Sequence, residues 1–214
     1  QAKDPARLAQ PFPKDPETGH SLRLLPVETP PPRYAGGMGG VGTAADYLAF
    51  LEAVSAAQAR LVSQWMAIGF IHGVMNTDNM ALSGETIDYG PCAFLDAYDP
   101  AMVFSSIDRQ GRYAYGNQPA ILAWNLSRLV QALLPLLGPE EDQAVELANA
   151  RLEAIAPAFR LAWLSVMRAK LGIEGQEMGD GALADEFCAA ITGADWTLSF
   201  RTLAAAAEGR AEDL

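Results

Sequence analysis

The chain predicts a mainly α protein of the α+β class, a helical body with one short β-hairpin set into a polar loop near its start. Three observations carry this prediction. Apolar residues recur at intervals of three and four over six stretches between Asp46 and Ala207, the period of helices that bury one face. Between the first two of those stretches, from His72 to Pro100, the period disappears and Asp, Asn, Gly and Pro accumulate. Residues 1–45 hold most of the prolines and end in AGGMGGVGT, which excludes regular helix there.

Residues 1–45 therefore read as a Pro/Gly-rich arm or linker. Gly37, Gly39 and Gly42 fit GxGxxG, but PPPR precedes them where a phosphate-binding loop needs a central strand, so a flexible linker is the better reading. The second unit, residues 46–214, opens with Leu48, Leu51, Val54, Ala57, Leu61, Val62 and Trp65 on one helical face, capped by Thr43 or Asp46. The polar stretch HGVMNTDNM follows, then the alternating ETIDYG, where short strands separated by turns are expected. Helical period returns from Gln118 through Leu134 and stops at Gly138 and Pro139. Further helices are expected over Glu140–Ala156, Phe159–Leu171, Ala182–Ile191 and Trp196–Ala207.

Composition removes several function classes. Half of the 214 residues are apolar, enough for a real core, while the formal charge of −11 argues against a nucleic-acid binder, which needs a surplus of cations. No apolar run is long enough to cross a bilayer and no basic, apolar leader opens the chain, so a soluble protein of the bacterial-type cytoplasm is expected. Cys92 and Cys188 lack metal-binding spacing and read as buried free thiols. Lysine is confined to Lys3, Lys14 and Lys170.

Asp78, Asn79 and Asp88 are the residues that could carry chemistry. Two carboxylates and an amide carbonyl supply the hard oxygen ligands that Mg²⁺ takes, and a hairpin between Asp78 and Asp88 would bring both to one end. A free carboxylate there could accept a proton from an attacking hydroxyl. Taken singly, such residues are ordinary turn formers. Their order is more specific: an apolar helix, then His-Gly, Asp-Asn and Ile-Asp-Tyr-Gly, as in the catalytic segment of kinase-like enzymes. His72 and Asn79 stand seven residues apart, the interval of the HGDxxxxN loop, yet Val74 occupies the place of its catalytic Asp. Unchanged protein-kinase chemistry is thus disfavoured. His72 is expected to hold the loop backbone, Tyr89 to pack on the helical lobe, and Gly90 to adopt a backbone conformation closed to other residues.

The strings GFIHGVMNTDNMALSGETIDYGPCAFLDAYDP and FSSIDRQGRYAYGNQPAILAWNLSRL closely resemble the selenoprotein O, or YdiU, family of pseudokinase-fold protein adenylyltransferases. The resemblance runs from about Tyr47 through Leu136 and more loosely to the end. It implies a protein-kinase-like C-lobe with the N-lobe absent from these residues. It also implies ATP as substrate, Mg²⁺ or Mn²⁺ as cofactor, and transfer of AMP to Ser, Thr or Tyr hydroxyls of protein substrates with release of pyrophosphate. Asp78 matches the family's proton acceptor, and Asn79 and Asp88 match its metal ligands, with Asp88 also near the nucleotide.

Members of that family are roughly double this length, and their N-lobe supplies a lysine and arginines that grip the phosphates. No lysine here has that context, so AMP transfer by these residues is expected to be impaired. Two other readings stay open: a non-catalytic remnant that acts as a binding module, and a kinase-like phosphotransferase. Apolar surface where the N-lobe would dock predicts self-association. Arg109, Arg112, Tyr113, Tyr115 and Asn117 form a second polar cluster that could receive a protein substrate, or could be a solvated turn. Trp124, Trp163 and Trp196 fall on helical faces and are expected in the core, and PEEDQ places acids where a helix dipole favours them.

Overall fold

The computed structural model describes residues 42–138 and 140–210. The arm, with Lys3, Lys14 and nearly all of the glycine-rich run, lies outside the described residues. Among the described residues are six α-helices: α1 (Ala44–Ala67), α2 (Gln118–Leu133), α3 (Glu141–Glu153), α4 (Ile155–Leu171), α5 (Asp180–Ala190) and α6 (Trp196–Ala207). A two-stranded antiparallel sheet joins β1 (Phe70–Ile71) to β2 (Ala93–Phe94), pairing Phe70 with Phe94 and Ile71 with Ala93.

Both suggested caps of α1 act together. Thr43 Oγ1 accepts from Asp46 N, while Thr43 N donates 2.7 Å to the Asp46 carboxylate, a capping box that satisfies two otherwise orphaned donors. The helix then buries Leu51, Val54, Gln58, Leu61, Val62 and Trp65, a stripe that packs mainly against α4 and also against α2. Ile155, Trp163 and Met167 of α4 and Leu122 and Leu126 of α2 complete that core. A smaller cluster of Leu51, Val130, Leu137, Ala144 and Ala148 fastens α3 beside it. One predicted boundary moves: α4 starts at Ile155, directly after Ala154 closes α3, so its first turn takes residues assigned to the preceding helix.

The C-terminal helices brace the rear of the polar loop. Asp195 caps α6 by accepting 2.7 Å from Leu198 N, and Trp196 N donates 2.7 Å to Asp96 O. Trp196 is buried, donates from Nε1 to Ala67 O at 3.3 Å, and stacks near Tyr98 and Phe200, each ring centre 5.0 Å away. Trp163 is likewise buried, but Trp124 is not: 41% of it is exposed. It lies off the stripe of Ile121, Leu122, Asn125 and Leu126 that α2 turns inward, and stacks on arginines instead. The two cysteines are free but only half-buried.

The strands also differ from expectation. ETIDYG contributes only an isolated bridge, Met80 to Thr86, and the paired strands flank the polar region instead. Asp88, with φ of +55°, breaks extended conformation just where a strand would continue.

A partly buried ion pair joins α4 to the start of α5: Arg168 Nε donates 2.6 Å to Asp180, which also accepts 2.9 Å from Glu177 N. The Glu177 N–H, then the Arg168 guanidinium, hold the Asp180 carboxyl below its ordinary value. A depressed carboxyl contributes stability above its unfolded pKa and loses it as pH falls through the lower folded value. Asp180→Asn should therefore melt below the unsubstituted chain near neutral pH, and thermal scans should show the gap narrowing as pH drops below about 4.

Candidate functional site

Everything that positions the polar loop starts at the end of α1. Gly69, with φ of +71°, turns the chain into β1, and a Cβ there would come within 2.8 Å of the Trp196 ring. Two residues on, His72 is fully buried. Its backbone N–H donates 3.1 Å to Gln118 Oε1, and Gln118 Nε2 donates 3.0 Å to Phe70 O, so one side chain at the start of α2 pins both sides of β1. Val74 N donates to His72 Nδ1 at 3.4 Å. With Nδ1 accepting, Nε2 carries the proton and donates 2.9 Å to Ile87 O. The imidazole thus ties the polar loop to the residue before Asp88, the backbone-holding role expected of it.

A second amide from α2 repeats the device: Asn125 Nδ2 donates 3.0 Å to the carbonyl of buried Met75. Thr77–Asn79 then forms one 3₁₀ turn. Asn79 Nδ2 donates 3.0 Å to Val74 O, which leaves its Oδ1 as an available acceptor. The chain reverses at Gly84, whose φ is +77° and whose N–H donates 3.0 Å to Ala81 O. Trp65 Nε1 donates 2.8 Å to Thr86 Oγ1 and Gln58 Nε2 donates to Ala81 O, fastening this narrow hairpin to α1.

Asp78 and Asn79 lie in the 3₁₀ turn just before the Met80–Thr86 bridge and Asp88 lies two residues after it, so the bridge brings these two stretches of chain together without setting a strand register between their side chains. Both carboxylates are exposed, Asn79 is half-buried, and neither acid is paired with a cation among the described residues. Asp88, not Gly90, takes the left-handed backbone, so the positive φ expected at the glycine sits two residues earlier. Such strain in a residue with a Cβ persists only where its surroundings impose it, and the His72 bond to Ile87 O is the nearest restraint. Tyr89 is 61% exposed and only edges against Phe70, with ring centres 6.5 Å apart, rather than packing into the helical body.

Gln118 and Asn125 were not singled out from the sequence, although a signal existed. Both amides fall on the inward stripe of α2, and a polar group on an apolar stripe needs a partner. Of the second cluster, Tyr115 is buried and donates 2.6 Å to Met66 O, a structural role, whereas Tyr113 reaches the loop itself, its hydroxyl donating to Asn76 Oδ1.

Away from the loop, a cavity of about 460 Å³ lies between α4, α5 and the Tyr98 segment. It offers Tyr98 and Cys188, but burial pushes the phenol up to about 12 and raises the thiol as well, so both stay protonated at neutral pH and neither is a ready nucleophile. The hairpin mouth, with its exposed oxygens, is the stronger site.

The molecule is thus a mainly helical domain that presents exposed carboxylates on a strapped polar loop. A family profile described as Protein adenylyltransferase SelO matches residues 34–212, and the chain belongs to that family. It is 62% identical over 160 residues to the "Protein nucleotidyltransferase YdiU" of Cereibacter sphaeroides (strain ATCC 17029), 59% over 165 residues to that of Methylorubrum populi and 57% over 168 to that of Agrobacterium fabrum. These alignments cover 74–78% of this chain but only 33–34% of each relative, so the chain spans about a third of the length of the curated relatives it matches.

The strap on the loop is testable. Gly73 has φ of +85° and a Cβ there would come within 2.6 Å of Pro91 O, whereas a Cβ on Gly90 would meet nothing closer than Asp88 Oδ1 at 3.6 Å. Gly73→Ala should lower unfolding free energy by about 2 kcal/mol or more, from the left-handed penalty plus the backbone clash. Gly90→Ala should stay within about 0.5 kcal/mol in the same urea titration.

Proposed function

We propose that this chain is the kinase-like C-lobe portion of a protein adenylyltransferase and carries the proton acceptor and metal ligands for moving AMP from ATP to a Ser, Thr or Tyr hydroxyl of a protein. The single observation that carries this reading is the loop strapped by His72, which presents Asp78 and Asp88, both exposed and without cation partners among the described residues, on the two stretches that flank the Met80–Thr86 bridge. Family membership supplies the reaction class.

The donors fit Mg²⁺ or Mn²⁺ bound with a nucleotide better than a free ion. Magnesium is held by one or two carboxylates plus substrate phosphates rather than by an all-protein cage, and no group of three or more His, Cys, Asp or Glu side chains forms such a cage among the described residues. Asp88 and Asn79 Oδ1 would hold it, and when bound it would offset charge on the phosphate oxygens. Asp78 keeps a carboxylate without a cation partner, as a proton acceptor requires. The acceptor hydroxyl oxygen bonds to the α-phosphorus, the bond from that phosphorus to the bridging oxygen breaks, pyrophosphate leaves with that electron pair, and the hydroxyl proton passes to Asp78.

One observation favours the non-catalytic reading for the isolated chain. Lys170, the one lysine among the described residues, sits with Nζ 3.8 Å from the Phe200 ring centre, engaged in the α4–α6 contact rather than at the loop. Incubation with Mg²⁺, a generic protein substrate and ATP labelled at either the α or the γ position separates the readings. Label should transfer from the α position, weakly, and Asp78→Asn should reduce it about 10²–10⁴-fold while nucleotide binding persists. Asp88→Asn should abolish metal-dependent ATP binding in calorimetry. Transfer from the γ position would assign a phosphotransferase, and a folded chain without ATP binding would assign the binding module.

A further inference from the structure

The face of α2 beside the polar loop carries a feature that the transfer chemistry does not use. Arg112 and Arg128 both lie over the ring of Trp124, with guanidinium carbons 4.7 and 5.3 Å from its centre. All three residues are exposed, and neither arginine is in an ion pair among the described residues. The nearby Asp108 carboxylate is already occupied, accepting from Arg112 N at 2.9 Å and Tyr113 N at 2.7 Å. Two unpaired cations gathered on one ring of a chain with net charge −11 form a local surface of opposite sign to the rest.

That surface is continuous with the candidate site. Arg128 and Thr77, the residue before Asp78, line one cavity of about 300 Å³, walled by Met80, Leu82, Leu122 and Leu129. Gln58 and Asn125 line it too, each more than nine-tenths buried, and Gln58 Oε1 and Asn125 Oδ1 have no hydrogen-bond partner among the described residues. Both amide nitrogens already donate to carbonyls, so turning either amide over would only exchange one unmatched group for another. The apolar walls suit one inserted apolar side chain, while the two orphaned oxygens lie beneath the cavity surface, out of reach of a docked chain.

We propose that this face docks an acidic segment of the acceptor protein, with carboxylates on Arg112 and Arg128 and an adjoining apolar side chain in the cavity, so that a nearby hydroxyl reaches Asp78. Its purpose rests on the adenylyltransferase reading above, but its test does not. The chain as a whole repels anions, so a preference for an acidic segment that disappears with Arg112 and Arg128 belongs to this patch.

Fluorescence anisotropy with short fluorescein-labelled peptides tests it on the 214-residue chain without ATP. One peptide carries a Ser flanked by Leu and Asp, and two others replace each Asp by Asn or by Lys. The Asp peptide should bind about tenfold tighter than the Asn peptide and weaken with added salt. Arg112→Glu with Arg128→Glu should reverse the order in favour of the Lys peptide, and the milder Arg112→Gln with Arg128→Gln should abolish the difference while the circular dichroism spectrum is kept. Equal binding of Asp and Asn peptides, or an unchanged order in the Gln pair, overturns the proposal. So does loss of ATP affinity in that pair with peptide order intact, which would assign the arginines to the nucleotide. AMP transfer measured alongside keeps the two readings apart: acidic preference without transfer sinks only the transferase, and equal transfer to Asp and Asn peptides sinks only the docking.

Discussion

One buried imidazole decides whether the polar loop has a shape at all. His72 accepts from Val74 N on one nitrogen and donates to Ile87 O on the other, so the segment before Asp78 and the residue before Asp88 share a single rigid ring. The ring cannot drift, because its own backbone is bonded to Gln118 and its faces lie against Trp65, with centres 5.2 Å apart, and Phe70, at 6.4 Å. Removing it would take a partner from the part-buried Val74 N–H and Ile87 carbonyl, a cost of about 1 kcal/mol for each bond. It would also free Asp88 from the nearest restraint on its left-handed backbone.

Around that ring the molecule divides its labour. The helices α1, α2 and α4 supply packing, and polar side chains of α1 and α2 reach out to the loop: Gln58, Gln118 and Asn125 bond its backbone, and Trp65 bonds the Thr86 hydroxyl. Loop carbonyls and N–H groups at residues 70, 72, 75 and 81 are thereby satisfied by side chains rather than by a regular sheet. The loop is therefore ordered without being covered. Its acidic side chains face solvent, as the proposed site, open to a nucleotide and a protein chain, requires.

Much of this was legible in the residues. Helical period located all six helices, because burial of one face imposes the same spacing on any helix that packs. The carboxylate loop was legible through the interval from His72 to Asn79 and through the family strings. Strand placement was not, since two-residue strands are too short to show alternation and Asp88 ends extended structure within ETIDYG. Trp124 misled because an aromatic beside an apolar stripe has the same spacing whether it turns inward or stacks on arginines, and only packing decides between them. The left-handed residue was placed at Gly90 on intrinsic preference, whereas tertiary restraint put it at Asp88. The amides of α2 were passed over because period analysis counts apolar positions and treats a polar residue among them as noise.

Charge explains why these features belong together. Asp78 and Asp88 flank the Met80–Thr86 bridge in a chain of net charge −11, so a triphosphate approaching the proposed site meets repulsion unless a cation accompanies it. At about 4 Å, each pair of like charges costs about 1 kcal/mol in water and about 4 at the effective dielectric of a protein surface. In the proposed arrangement a divalent ion on Asp88 and Asn79 would reverse the sign locally, but its charge would be consumed by the phosphates and would not serve the acceptor protein as well. On the proposed reading, a protein substrate needs an attraction of its own beside Asp78. The stack of Arg112 and Arg128 on Trp124 is such a feature, and the Tyr113 hydroxyl, bonded to Asn76, ties its loop to the one that carries Asp78.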